Sequence, residues 1–104
     1  MQEQLSLTHK VYSTESKYKR AGITIIVDKK INLKIDFRSN LAMEDGPRVL
    51  VISGSLPNKK RITISGVYVA PDNWKNSFTA IDNFLTSTYL KIKPGHIIEG
   101  GDFT

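Results

Sequence analysis

Residues 61–85 read RITISGVYVAPDNWKNSFTAIDNFL, and the spacing of their apolar residues changes partway along. Arg61 to Ala70 is rich in Ile, Thr and Val and reads as a strand. After Pro71, Trp74, Phe78, Ile81 and Leu85 follow at helical spacing, with Asp72 or Asn73 placed to cap the first turn. A helix over 74–88 is expected, with that stripe packed on a sheet and Lys75, Asn76, Asp82 and Asn83 toward solvent. Lys93-Pro94-Gly95 ends the connection, and residues 96–102 (HIIEGGD) read as a short buried strand running into glycines and an acid. A helix between two strands of one sheet requires a right-handed crossover and parallel pairing. Tyr68 and Asp102 would then meet at the carboxyl edge, within about 15 Å, some three strand spacings.

Working upstream, Pro57-Asn58-Lys59-Lys60 forms a polar loop between the strand at 61–70 and another at 48–56, giving a hairpin. Met43-Glu44-Asp45-Gly46-Pro47 is turn chemistry. Ile31, Leu33, Ile35 and Phe37 alternate with Asn32, Lys34 and Asp36, the period of a half-wet strand over 31–37. Residues 22–27 (GITIIV) form a β-branched run ending at Asp28-Lys29-Lys30, and an antiparallel pair with 31–37 is expected. Residues 1–10 carry no clear pattern. The fold class is α/β (α+β): one mixed sheet of strands 22–27, 31–37, 48–56 and 61–70, with a crossover helix packed on it.

At 104 residues the chain is one domain at most. The net charge of +5 and pI near 9.6 favour a polyanionic partner without requiring one. With no cysteine, a disulfide-stapled scaffold and a thiolate zinc site are excluded. No apolar run approaches the roughly 18 residues of a membrane span, and the N-terminus lacks the layout of a signal peptide. An intracellular setting, nuclear or cytoplasmic rather than secreted, is the expectation. Nothing suggests a small-molecule substrate.

The stretch Glu99-Gly100-Gly101-Asp102 admits two readings. Glycines at a strand end let backbone approach a ligand and present an acid at the sheet edge, or the Asp merely caps the next element. Lys59-Lys60-Arg61 and Lys17, Lys19 and Arg20 are either phosphate contacts or solvated loops. Trp74 either stacks on a base or joins the core. His9 and His96 read as surface polar residues.

The order of these elements resembles the endonuclease/exonuclease/phosphatase superfamily, and within it the endonuclease domain of long-interspersed-element retrotransposons. Tyr68-Val69-Ala70-Pro71 is similar to the family's Tyr-Ala-Pro strand end, with one extra spacer residue, and Gly101-Asp102-Phe103-Thr104 to its Gly-Asp-Phe-Asn. Lys19-Arg20-Ala21-Gly22-Ile23-Thr24-Ile25-Ile26 looks like its basic-Gly-Val-Ala-Ile-Leu strand, and Asp45-Gly46-Pro47-Arg48 like its Glu-Gly-Arg segment.

The resemblance implies a partial four-layer α/β sandwich of the DNase I-like type, magnesium as cofactor and DNA as partner. By the same resemblance Tyr68 would hydrogen-bond the scissile phosphate and Asp102 would orient and deprotonate the attacking water. Thr104 would stand where the family has a phosphate-binding Asn, and Glu3, in Gln2-Glu3-Gln4, at a metal-ligand position. Lys59, Lys60 and Arg61 are the nucleic-acid contact candidates. The family's N-terminal asparagine strand, later aspartate pair and Ser-Asp-His end have no counterpart within residues 1–104. The expectation is therefore a fragment of a DNA-nicking phosphodiesterase, inactive on its own. Alternatives are a non-catalytic remnant that binds nucleic acid or protein, and a translated relic with no stable fold.

Overall fold

The computed structural model describes residues 2–5, 8–14, 22–43, 46–69 and 74–102. These form two sheets and one long helix. Strands β1 (Gln2–Leu5), β2 (His9–Ser13) and β3 (Thr24–Asp28) make an antiparallel three-stranded sheet in that order. Strands β4 (Lys34–Met43), β5 (Gly46–Ser55), β6 (Arg61–Tyr68) and β7 (His96–Asp102) make the second, mixed sheet, antiparallel except for the β6–β7 pair. Helix α1 (Trp74–Lys91) makes the crossover between β6 and β7. No helix among the described residues is long and apolar enough to cross a membrane.

The expected single sheet is thus two, and the segments 22–27 and 31–37 do not pair with each other. The link between them decides this. Asp28 caps a 3-10 turn, Lys29–Ile31, by accepting from the Lys30 amide at 2.8 Å, and Asn32 closes it in the left-handed region at φ 56°. Asn tolerates that conformation better than most residues. The turn carries the chain from one sheet to the other, and Leu33 drops into the space between them. Alternation of apolar residues reports that a strand has a buried face, not which sheet holds it.

Two cores follow, making three layers. Between the sheets lie Tyr12, Ile23, Ile25, Val27 and Leu33 with Leu50 and Ile52. On the other face of the second sheet, Val49, Val51, Val67 and Val69 meet Ile81 of the helix. Consecutive residues of β5 serve opposite layers, so Val49 through Ile52 are all completely buried. The two buried hydroxyls of Ser53 and Thr63 satisfy each other at 2.8 Å across the β5–β6 ladder.

The helix runs three residues beyond the expected 88, and only part of its stripe faces inward. Ile81 is buried and Leu85 packs against it, but Trp74 and Phe78 are each 55% exposed. The inward line is Ser77, Ile81, Phe84 and Thr88, ending on Ile92. Its first turn is fixed by a polar contact: the Arg48 Nε donates to Ser77 Oγ at 3.0 Å, both groups being fully buried. With Ser77 turned toward the sheet, Trp74 and Phe78 rotate outward. The expected cap residues, Asp72 and Asn73, lie outside the described residues, as do Lys17, Lys19 and Arg20.

Strand β7 is also a correction, since it is not buried. Ile97 is 48% and Ile98 51% exposed. It is the edge strand of the second sheet, and β3, which packs over β6, is the last strand of the sheet above.

Candidate functional site

The register of the parallel pair sets Tyr68 directly against Asp102, Val67 against Gly101 and Gly66 against Gly100. Neighbouring strands lie about 4.8 Å apart, so Tyr68 and Asp102 are adjacent backbone positions at the carboxyl ends of their strands. Gly101 makes this approach possible. Its φ of 156° and the Val67 carbonyl, on which a β-carbon at this position would land, leave room for no side chain.

Beside this pair, an open groove of about 560 Å³ runs between the free edge of β3 and the β6–β7 ladder. Its walls include Thr24 and Ile25 on one side and Ile64, Tyr68 and Ile98 on the other. Gly66 forms the floor because Ile23 sits over it: a β-carbon there would come within 2.6 Å of the Ile23 methyl. The sheets therefore touch at Gly66, whereas nothing stands over Gly100 on β7, and the groove is open there.

Under Tyr68 lies Arg48, only 1% exposed. Its guanidinium stands 5.6 Å from the centroid of the phenol ring, close enough for a cation–π attraction. Besides Ser77, it donates through Nη1 to the carbonyls of Pro47 at 3.1 Å and Gly46 at 3.3 Å. Arg48 is the residue that sequence reasoning missed as part of this site. A signal was available, because an arginine opening the apolar run Val49–Ile52 must bring its own hydrogen-bond partners.

The other candidates do not converge here. Glu3 belongs by its backbone to β1, paired with Tyr12, at the edge of the first sheet away from β3. Thr104 and the side chain of Asp102 lie outside the described residues. Lys59 and Lys60 sit exposed on the β5–β6 turn, at the opposite end of β6. Arg61 is committed to Asp36 through two hydrogen bonds, at 2.8 and 2.7 Å, and reaches Ser53 at 3.3 Å. That pairing holds the Asp36 carboxyl below its ordinary range, with Lys93 adding to the effect. His96 pairs with Ile62 and His9 with Asp28, so both histidines lie at the far ends of their sheets from Tyr68.

Among the described residues, no group of three or more metal-ligating side chains comes together. The backbone brings Asp102 to Tyr68 and leaves Glu3 on the far strand of the other sheet, so these two carboxylates are not placed to share one magnesium ion, and no step through a metal is derived. What the described part of the site offers is a phenol as hydrogen-bond donor, braced from below by a buried cation, on the lip of a groove. In comparisons with known proteins, no family model, no curated protein and no solved structure matches this chain.

Proposed function

We propose that the chain is part of a phosphodiester-hydrolysing, DNA-nicking domain of the endonuclease/exonuclease/phosphatase type, with Tyr68 and Asp102 at the reacting phosphate. The observation that carries this reading is the register match of those two residues at the carboxyl ends of parallel strands joined by a crossover helix. Such strand ends are where α/β sheets collect ligand-binding groups. A phenol there can donate to a phosphoryl oxygen, and a carboxylate can accept the proton of an attacking water. The three layers, sheet on sheet on helix, are compatible with part of a four-layer sandwich.

The same geometry argues against turnover by residues 1–104 alone. Both histidines stand at the far ends of their sheets from Tyr68, so neither is placed to protonate a leaving oxygen. Catalytic sets are strongly non-additive, and the loss of one member removes most of the rate. The test has two readouts. Amide resonances of Tyr68, Gly101 and Asp102 are expected to shift when a short duplex and millimolar magnesium are added, and to stay still in Asp102→Ala. Supercoiled plasmid is expected to remain intact with both proteins. Absent shifts would end the reading of this edge as a phosphate site. Nicking by the parent alone would show that the catalytic set is more complete than proposed.

A further inference from the structure

Among the described residues, the end of the molecule opposite Tyr68 carries most of the exposed cationic charge, gathered from segments far apart in the sequence. Lys30 lies in the 3-10 turn after β3, and Lys34 opens β4. Lys34 is in register with Ser55, the last residue of β5, so the β5–β6 turn with Lys59 and Lys60 stands beside it. Asn32, Lys34, Ser55 and Pro57 line one small hollow, which confirms that the two links adjoin. Helix α1 runs back along the sheet and delivers Lys91 and Lys93 to the same end, where Gly95 packs on the Arg61 backbone. All six lysines are exposed. The carboxylates described at this end are few. Asp28 accepts the Lys30 amide, and Asp36 is already matched by Arg61.

We propose that this lysine pole is a binding surface for the phosphate backbone of a nucleic acid, without base recognition and separate from the Tyr68 edge. Seven residue steps of β6 lie between Arg61 and Tyr68, about 23 Å at the rise of an extended strand, so one phosphate group cannot serve both. The composition selects the partner. Lysines are point charges that neutralise phosphates and release counterions without needing a fixed geometry. A protein partner would call for aromatic and Arg anchors with few Lys at the centre. The large exposed apolar side chains described toward this end, Ile31, Leu90 and Ile97, stand on three separate elements rather than along one apolar face, an arrangement that does not favour insertion into a bilayer. An acidic protein or an anionic membrane is therefore the less favoured partner.

The experiment measures binding of the full chain to a 20-base-pair duplex by fluorescence anisotropy over a salt series. With five or six phosphates neutralised, log K is expected to fall with log salt at a slope of about −4.5 to −5.4, the same for unrelated sequences. The double variant Lys34→Glu/Lys60→Glu is expected to bind at least tenfold more weakly, with the slope reduced by about two. Lys75→Glu removes the same charge as Lys60→Glu but lies on the first turn of α1, at the other end, and should bind at least threefold more tightly than Lys60→Glu. Tyr68→Phe is expected to leave this binding unchanged, which separates failure here from failure of the proposed phosphate site. Equal weakening by Lys75→Glu and Lys60→Glu would overturn the proposal by showing a net-charge effect only. Tighter binding to phosphatidylglycerol vesicles than to duplex, or no loss in the double variant with an unchanged circular dichroism spectrum, would overturn it as well.

Discussion

Two charged side chains show how differently a residue can be held. Arg48 is buried and hydrogen-bonded to Ser77 and to two backbone carbonyls, so its removal leaves acceptors stranded in the core. Unsatisfied buried groups cost roughly 1–3 kcal/mol each, and Arg48→Met is expected to lose about 2–4 kcal/mol in urea denaturation, with Ser77→Ala losing about 1–2. Asp36 is half exposed and paired to Arg61 at the surface. Its carboxyl is held below the ordinary value of 3.8, first by the Arg61 hydrogen bond, so the pair stabilises the fold above that pH. The contribution is lost as pH falls through the lowered value. Asp36→Asn should therefore lower the melting temperature at pH 7, with the difference from the parent shrinking below about pH 4. A difference that persists at pH 2 would show that the substitution acts by another route.

At the scale of the elements, the contact between β3 and β6 sets the spacing of the two sheets. Ile23 presses on Gly66, and the only cheap relief for an added β-carbon is a change in Ile23 itself. Gly66→Ala is expected to destabilise by about 1–3 kcal/mol, the usual cost of overpacking. In an Ile23→Leu background, which moves the branch away from the β-carbon, the same substitution should cost at least 1 kcal/mol less, a coupling readable from a double-mutant cycle. Additive losses would mean that the sheets do not meet at this point. The helix teaches a related lesson. Its apolar spacing alone favours Trp74 and Phe78 as inward residues, yet the partner of the first turn is Arg48, and a buried guanidinium outranks two aromatic rings that can remain half wet.

For the whole molecule, the placement of charge matters more than its sum. Lysines 30, 34, 59, 60, 91 and 93 share one end and repel each other there. Screening by salt acts over about 8–10 Å at physiological strength. Raising salt from 10 to 150 mM is therefore expected to raise the melting temperature, and Lys60→Glu to raise it at low salt and flatten the dependence. A melting temperature that falls with salt in both proteins would place the dominant electrostatic contribution in pairs such as Arg61–Asp36 instead.

The sequence alone determined the α+β class, the 48–56/61–70 hairpin, the helix after Pro71 and the parallel return of the final strand. Each of these rests on local chemistry: turn residues, a change of apolar period, and the handedness of a crossover. The tertiary structure decided how the strands divide into two sheets, which side of the helix faces inward, and which residues meet. Sheet membership turned on the 3-10 turn at Lys29–Ile31, whose direction no periodicity reports. Arg48 and Ser77 lie far apart in the chain, as do Lys34 and Lys60, and only packing brings such groups together. Spacing along a chain encodes which face of an element is apolar, while the identity of the neighbour across that face depends on every other element at once.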